Sequence, residues 1–295
     1  MADPPAKPAR AAWQRWWLAL TARPAVRVGR RVYQRYASAD GPLLAGGLAY
    51  SALFAVVPAV VLALGASAVL LGQGPDRSAV VAAAGRVFPP LRDLLRPVAD
   101  ELARQSTSIT LLGVVGFAWG ASRFTIALQS ALALIFGSDT RRGAVGRELL
   151  ALASVALLVA VVIAGTLLAG LASVVEGVVV AGIGELASPI LSFVLGIAGP
   201  LVGVLALAVV YRFVPPSRPA WRAALPPAIV VGTVLALGTR LFVLLAPRLI
   251  GAAAVFGTLA TAFVALAWFG ATFQALLIGA AWVGDRALQA RSPAG

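Results

Sequence analysis

Two arginines, Arg123 and Arg240, interrupt apolar runs that are otherwise almost free of charge. A cation inside a bilayer costs roughly 3 kcal/mol on insertion scales and more in simulation, so such residues tend to face a bundle interior, a cavity or lipid phosphate. About 20 residues cross the hydrocarbon core. Counting from Ile109 puts the inner boundary near Leu128, so Arg123 is expected about one turn inside the inner interface. There it would contact lipid phosphate or snorkel as an anchor. Arg240 is expected near the outer end of its run, as a snorkelling anchor. Pro58 removes a backbone donor mid-run and predicts a kink, a feature common at transport sites. Tyr50 and Ser51 lie about two turns earlier and are candidates for the same cavity. Gln129 and Gln274 are expected to be buried amides bonding across helices, for about 1 kcal/mol or less each.

What is missing is equally specific. The 295 residues contain no cysteine and no histidine, which removes thiolate chemistry, the commonest general base and the commonest metal ligand. Eleven carboxylates remain, and the one close acid pair, Asp100 and Glu101, falls in a loop. No catalytic residue, cofactor or metal is expected, and the chain is read as a non-enzyme. The formal charge of +13 is almost all arginine at the ends of apolar runs, so no nucleic-acid partner is expected.

The elements that would position these residues are six runs, at 43–72, 109–136, 149–173, 189–211, 223–247 and 252–283. Only 12% of residues are charged, against about 25% in soluble domains. The runs are apolar on all sides, which favours helices over barrel strands, whose residues alternate. The expected fold is all-α: a bundle of six transmembrane helices over 41–284, a basic arm over 1–40 and a tail over 285–295. Sixteen of the 24 basic residues fall in the arm, the second and fourth loops and the tail, and six on the other side. The positive-inside rule then places both termini in the cytoplasm.

The arm carries two apolar patterns, Trp13, Trp16, Trp17, Leu20 and Val26, Val32, Tyr33, Tyr36, separated by Pro24 and set among arginines. They predict interfacial helices on an anionic leaflet, where each nearby cation contributes about 1 kcal/mol. Asp40 is the expected N-cap of the first span, with Pro42 in its first turn. In the largest loop, Leu91, Leu94, Leu95, Val98 and Leu102 form a stripe expected to cover the outer mouth of the bundle. The pairs Gly116–Gly120 and Gly199–Gly203 are expected to permit close helix contact.

Three motifs carry a resemblance. Gly47–Pro58 contains Ala49-Tyr50 followed eight residues later by proline; Trp119-Gly120-Ala121-Ser122-Arg123 lies in the second run. Phe256–Ala260, Trp268 and Leu277-Ile278-Gly279-Ala280 mark the last. In order and spacing they resemble the YihY/virulence factor BrkB group of bacterial inner-membrane proteins, over about residues 30–284. Ala55 stands where the family usually has serine, and Ala281 where it usually has glutamate, with Asp285 one turn on. The resemblance implies six helices and a cell-membrane location. It implies no particular activity, although some members carry an old ribonuclease BN label.

The partners expected are membrane lipids, through anionic headgroups at the cytoplasmic face. The leading functional expectation is transport or handling of lipids or amphiphiles, or support of envelope assembly. A non-transporting scaffold that recruits partners through the arm and the largest loop is the alternative. Ribonuclease activity is disfavoured, because clustered carboxylates and RNA-binding surfaces are absent from the sequence pattern.

Overall fold

The computed structural model describes residues 24–70, 106–137, 188–215, 217–252 and 258–290. The tryptophan-rich piece of the arm, the Leu91–Leu102 stripe and the run 149–173 lie outside these residues. Among the described residues the secondary structure is helical, with no strand. Six helices follow in order: α1 Pro24–Ser38, α2 Gly41–Leu70, α3 Ser106–Phe136, α4 Ser188–Phe213, α5 Trp221–Ala252 and α6 Thr258–Gln289.

Three stretches, Val115–Phe136, Trp221–Leu245 and Ala262–Gln289, are long and apolar enough to cross a membrane. The pair Val26–Ser38 and Gly41–Val56, bent by 64°, makes a fourth if read as one broken span. Gly199–Phe213 of α4 is a shorter apolar helix. The six expected spans are therefore represented by three or four over the described residues.

Two helix ends differ from expectation. α5 continues to Ala252, through Pro247, where the next span was expected to begin. Bilayer helices tolerate proline because neighbouring groups re-satisfy the freed carbonyl. α6 runs on to Gln289, past the expected start of the tail at residue 285. Its last turn is favourable: Arg286 opposes the negative end of the helix dipole, and Gln289 Nε2 donates to Asp285 Oδ2 at 2.7 Å, one turn back.

The core sits where α2 lies between α3 and α6, and it is built largely from small residues. Ala45, Leu48, Ala49 and Ala52 of α2 are buried with Ala131, Leu132 and Ile135 of α3 and Leu277, Ala280 and Ala281 of α6. Lipid tails are as apolar as leucine, so helices in a bilayer associate through close fit, which small residues allow. Gly120 shows the geometry. A Cβ there would come within 2.9 Å of the Ala55 Cα and 3.1 Å of the Phe54 carbonyl oxygen. Many large residues point outward, among them Leu201, Leu205, Val234, Leu237 and Leu244.

Of the two glycine pairs, Gly199 and Gly203 are corrected: no described group lies within 4 Å of a Cβ built on either. The close approach of α4 to α5 is made at Gly232, whose Cβ would meet the Val204 Cα at 3.2 Å. Small residues in this alanine- and glycine-rich chain are too frequent for spacing alone to pick the contact.

Candidate functional site

One end of the bundle collects the charge. The start of α2 and the ends of α3, α4 and α6 meet there with α1 and the α4–α5 turn. Arg27, Arg30, Arg31 and Arg35 of α1 join Arg212, Arg218, Arg222 and Arg286, against Asp40 and Asp285. The opposite end carries only Arg248 among the described residues, with Arg240 about three turns before the end of α5.

α1 is docked on this end by an amphipathic face. Val32 and Tyr36 are buried, and Val28 and Ala39 pack beside them. The expected stripe is thus corrected: Val26 and Tyr33 are exposed, and the face follows Val28, Val32, Arg35, Tyr36 and Ala39. Burial pushes the Tyr36 phenol above its ordinary pKa, with Tyr33 adding to the effect, so the ring stays neutral. Asp40 occupies the N-cap position, its carbonyl accepting from Leu44 N at 3.0 Å, with the chain bending through a left-handed φ of 52°.

Arg35 is the residue that sequence reading missed. Its Nε donates to the Ile135 carbonyl at 2.8 Å and its Nη2 to the Phe136 carbonyl at 3.0 Å. A cation from α1 thereby caps the C-terminus of α3, where four carbonyls lack intrahelical donors and the dipole is negative. Gly137, at φ 62°, completes the ending by donating from its N–H to the Leu134 carbonyl. Arg35 reaches its partners past Gly284, where a Cβ would come within 3.0 Å of Nε. Beside it, Arg31 forms a bidentate pair with Asp285, Nε to Oδ1 at 3.1 Å and Nη2 to Oδ2 at 3.3 Å. The hydrogen bond and charge of Asp285 hold the Arg31 guanidinium above its ordinary pKa. A pocket of about 460 Å³ opens beside this pair, lined by Arg31, Asp285, Leu288 and Gln289.

Deeper in the bundle, the buried Tyr211 hydroxyl donates to the Leu276 carbonyl at 2.9 Å. Gly279 makes this possible, because a Cβ there would run into the Tyr211 oxygen and come within 2.7 Å of Val231 Cγ2.

The remaining candidates separate. Arg123 is exposed and lies thirteen residues before the end of α3, about 20 Å from the arginine-rich end at ~1.5 Å per residue. α3 continues eight residues past Leu128, the expected inner boundary. The guanidinium instead lies over the Trp119 ring, 5.8 Å from its centroid. Tyr50 and Phe54 form an exposed aromatic pair on α2, 4.7 Å apart. Ser51 Oγ donates to the Gly47 carbonyl of its own helix at 2.8 Å.

Arg240 is exposed on α5. Gln129 is half-buried, with its Nε2 lacking a partner, whereas Gln274 is exposed. The expectation of a buried amide at Gln274 is therefore corrected; neighbouring Phe273 faces the core instead. Pro58 falls within α2, and its side chain lies outside the described ones. Among the described residues no three histidine, cysteine or carboxylate groups converge as a metal site.

The family model for virulence factor BrkB matches residues 32–294. The chain belongs to the BrkB family. A UPF0761 membrane protein of Rhodospirillum rubrum is 27% identical over 247 residues, covering 82% of this chain and 54% of that protein. The chain thus spans about half the length of the curated relative it matches. No solved structure matches. With its apolar helices, BrkB-family membership marks a multi-pass membrane protein.

The structure gives the family motifs a physical content. The first two meet at the Gly120–Ala55 approach. In the last, Trp268 packs at a tilt against Phe242 with ring centroids 4.5 Å apart, and Gly279 makes room for Tyr211. Ala281, at the position of the usual glutamate, is fully buried, while Asp285 serves the Arg31 pair.

Proposed function

We propose that this BrkB-family chain is an inner-membrane protein with both termini in the cytoplasm that handles anionic lipids or similar amphiphiles. It would move them between leaflets or support assembly of the envelope. The observation that carries the reading is charge placement: eight described arginines against two aspartates at one end of the bundle, and Arg123 held outward within α3. Positive residues collect on the cytoplasmic side of membrane proteins, and anionic inner-leaflet lipids attract them there. Arginine matches phosphate with a planar fork of donors.

Arg123 supports the lipid-handling part. Its charge lies far from either end of α3, and the Trp119 face is the contact it makes among the described residues. A charge at that depth stabilises a passing anionic headgroup more than it would at a wet surface, because the surrounding dielectric is low.

Purified protein in liposomes tests this directly. Labelled phosphatidylglycerol should cross between leaflets faster than in protein-free vesicles, and Arg123→Ala should slow it. Movement no faster than in empty vesicles, across several lipid compositions, would refute lipid movement. In that case crosslinked partner bands that vanish on deletion of residues 1–37 would identify a scaffold.

A further inference from the structure

We propose that the α4–α5 turn is a phosphate site, formed by Arg212, Ser217, Arg218, Arg222 and Arg286, that takes a lipid phosphate headgroup or free phosphate. This rests on reading the arginine-rich end as the end that meets headgroups.

The first observation is uncompensated charge. Four guanidiniums gather on one turn and the adjoining end of α6. Among the described residues the one ion pair is Arg31–Asp285, so none of the four meets a carboxylate. Two are instead pinned by main-chain carbonyls of the turn and the start of α5. Arg212 Nη1 donates to the Arg218 carbonyl at 2.9 Å, and Arg286 Nη2 donates to the Arg222 carbonyl at 3.2 Å. A carbonyl fixes a guanidinium without cancelling its charge, so an anion is the missing element.

The second observation is unmet donors. Arg212 Nε, Arg286 Nε and Ser217 Oγ are buried and have no hydrogen-bond partner. A buried donor without an acceptor costs about 1–3 kcal/mol, so such groups normally have one. Arg212 spends Nη1 on the carbonyl and stacks over Phe213, 5.5 Å from the ring centroid. Its Nε and Nη2, the edge with which arginine grips two oxygens of a phosphate, are thereby left uncommitted.

The turn's backbone fits the same reading. Arg218 adopts a left-handed φ of 40°, uncommon for a residue with a side chain, with its carbonyl turned to Arg212. Arg218 and Arg222 are exposed, so their side chains are open to a ligand arriving from the surface. Phosphate is favoured over a carboxylate because three or more oxygens can engage several forks at once.

The test is thermal unfolding of the purified full chain in a neutral detergent, at fixed ionic strength. Sodium phosphate, short-chain phosphatidic acid and short-chain phosphatidylcholine are titrated separately against chloride. Wild type should show a saturable rise in midpoint with phosphatidic acid and none with phosphatidylcholine. In R218Q/R222Q the half-saturating concentration should rise about tenfold or more, the scale of losing charge-assisted hydrogen bonds. R240Q, which removes a cation elsewhere, should respond like wild type.

Inorganic phosphate saturating at the same concentration as phosphatidic acid identifies free phosphate as the ligand. A clear advantage for phosphatidic acid identifies the lipid. Should R218Q/R222Q fail to fold, R222K is read in its place, since it keeps the charge and loses the fork. The proposal is overturned if neither anion moves the midpoint beyond chloride, or if the arginine variants respond like wild type. Lipid movement by a wild type that shows no such response would remove this site and leave the transport reading standing.

Discussion

Arg35 and Arg212 lie at the same end of the molecule and are held very differently. Arg35 donates both edge nitrogens to the ending carbonyls of α3, and its neighbour Arg31 is neutralised by Asp285. Arg212 has one nitrogen on a carbonyl, another buried without a partner and, among the described residues, no ion pair with a carboxylate. The α1 region spends its arginines on holding helices together, whereas the α4–α5 turn keeps donors in reserve. Satisfied cations mark structure; unsatisfied ones mark a place for something else.

That contrast can be broken in graded steps. Gly120→Leu should be the most damaging substitution, because the opposing atoms are backbone and cannot move aside cheaply. A loss of about 3 kcal/mol or more is expected in a detergent unfolding assay. Arg35→Ala comes next, leaving two carbonyls of α3 without donors, and should cost about 2 kcal/mol. If Arg35→Ala were neutral, the distinction between structural and reserved arginines would fail.

Tyr211→Phe removes the hydroxyl that serves the Leu276 carbonyl and should cost about 1 kcal/mol. Asp285→Asn should have a smaller effect than these and lose most of it in high salt, since the Arg31 pair is open to solvent. Gln274→Leu should change stability least, because the side chain faces outward. A large loss there would show an inter-helix bond the described residues lack.

What was legible in the sequence follows from which physical signal is local. Helical, apolar elements could be read directly, because uncharged runs of this length have few other solutions in a bilayer. The direction of α1's buried face could not, because Val26 and Tyr33 fit a helical stripe as well as Val28 and Ala39 do. Only docking on α6 and α3 selects between them. Arg35 looked like one more topology-setting cation, since its partners are main-chain carbonyls a hundred residues away. Carbonyls leave no trace in side-chain identity. The length of α3 was not legible either: the count stopped at a minimal span, while the helix runs eight residues beyond Leu128. Gly279 was noted as part of a motif, but its purpose, room for Tyr211 from another helix, is visible only in three dimensions.

The most direct test of the account is which side of the membrane the arginine-rich end faces. The chain has no cysteine, so single cysteines report cleanly. Ser38→Cys ends α1 at the arginine-rich end, and Ala252→Cys ends α5 at the other. In intact cells whose outer membrane is permeable to it, a charged maleimide should label the cysteine at 252 and reach the one at 38 only after the inner membrane is opened. The reverse pattern would turn the arginines away from the anionic inner leaflet and contradict the account.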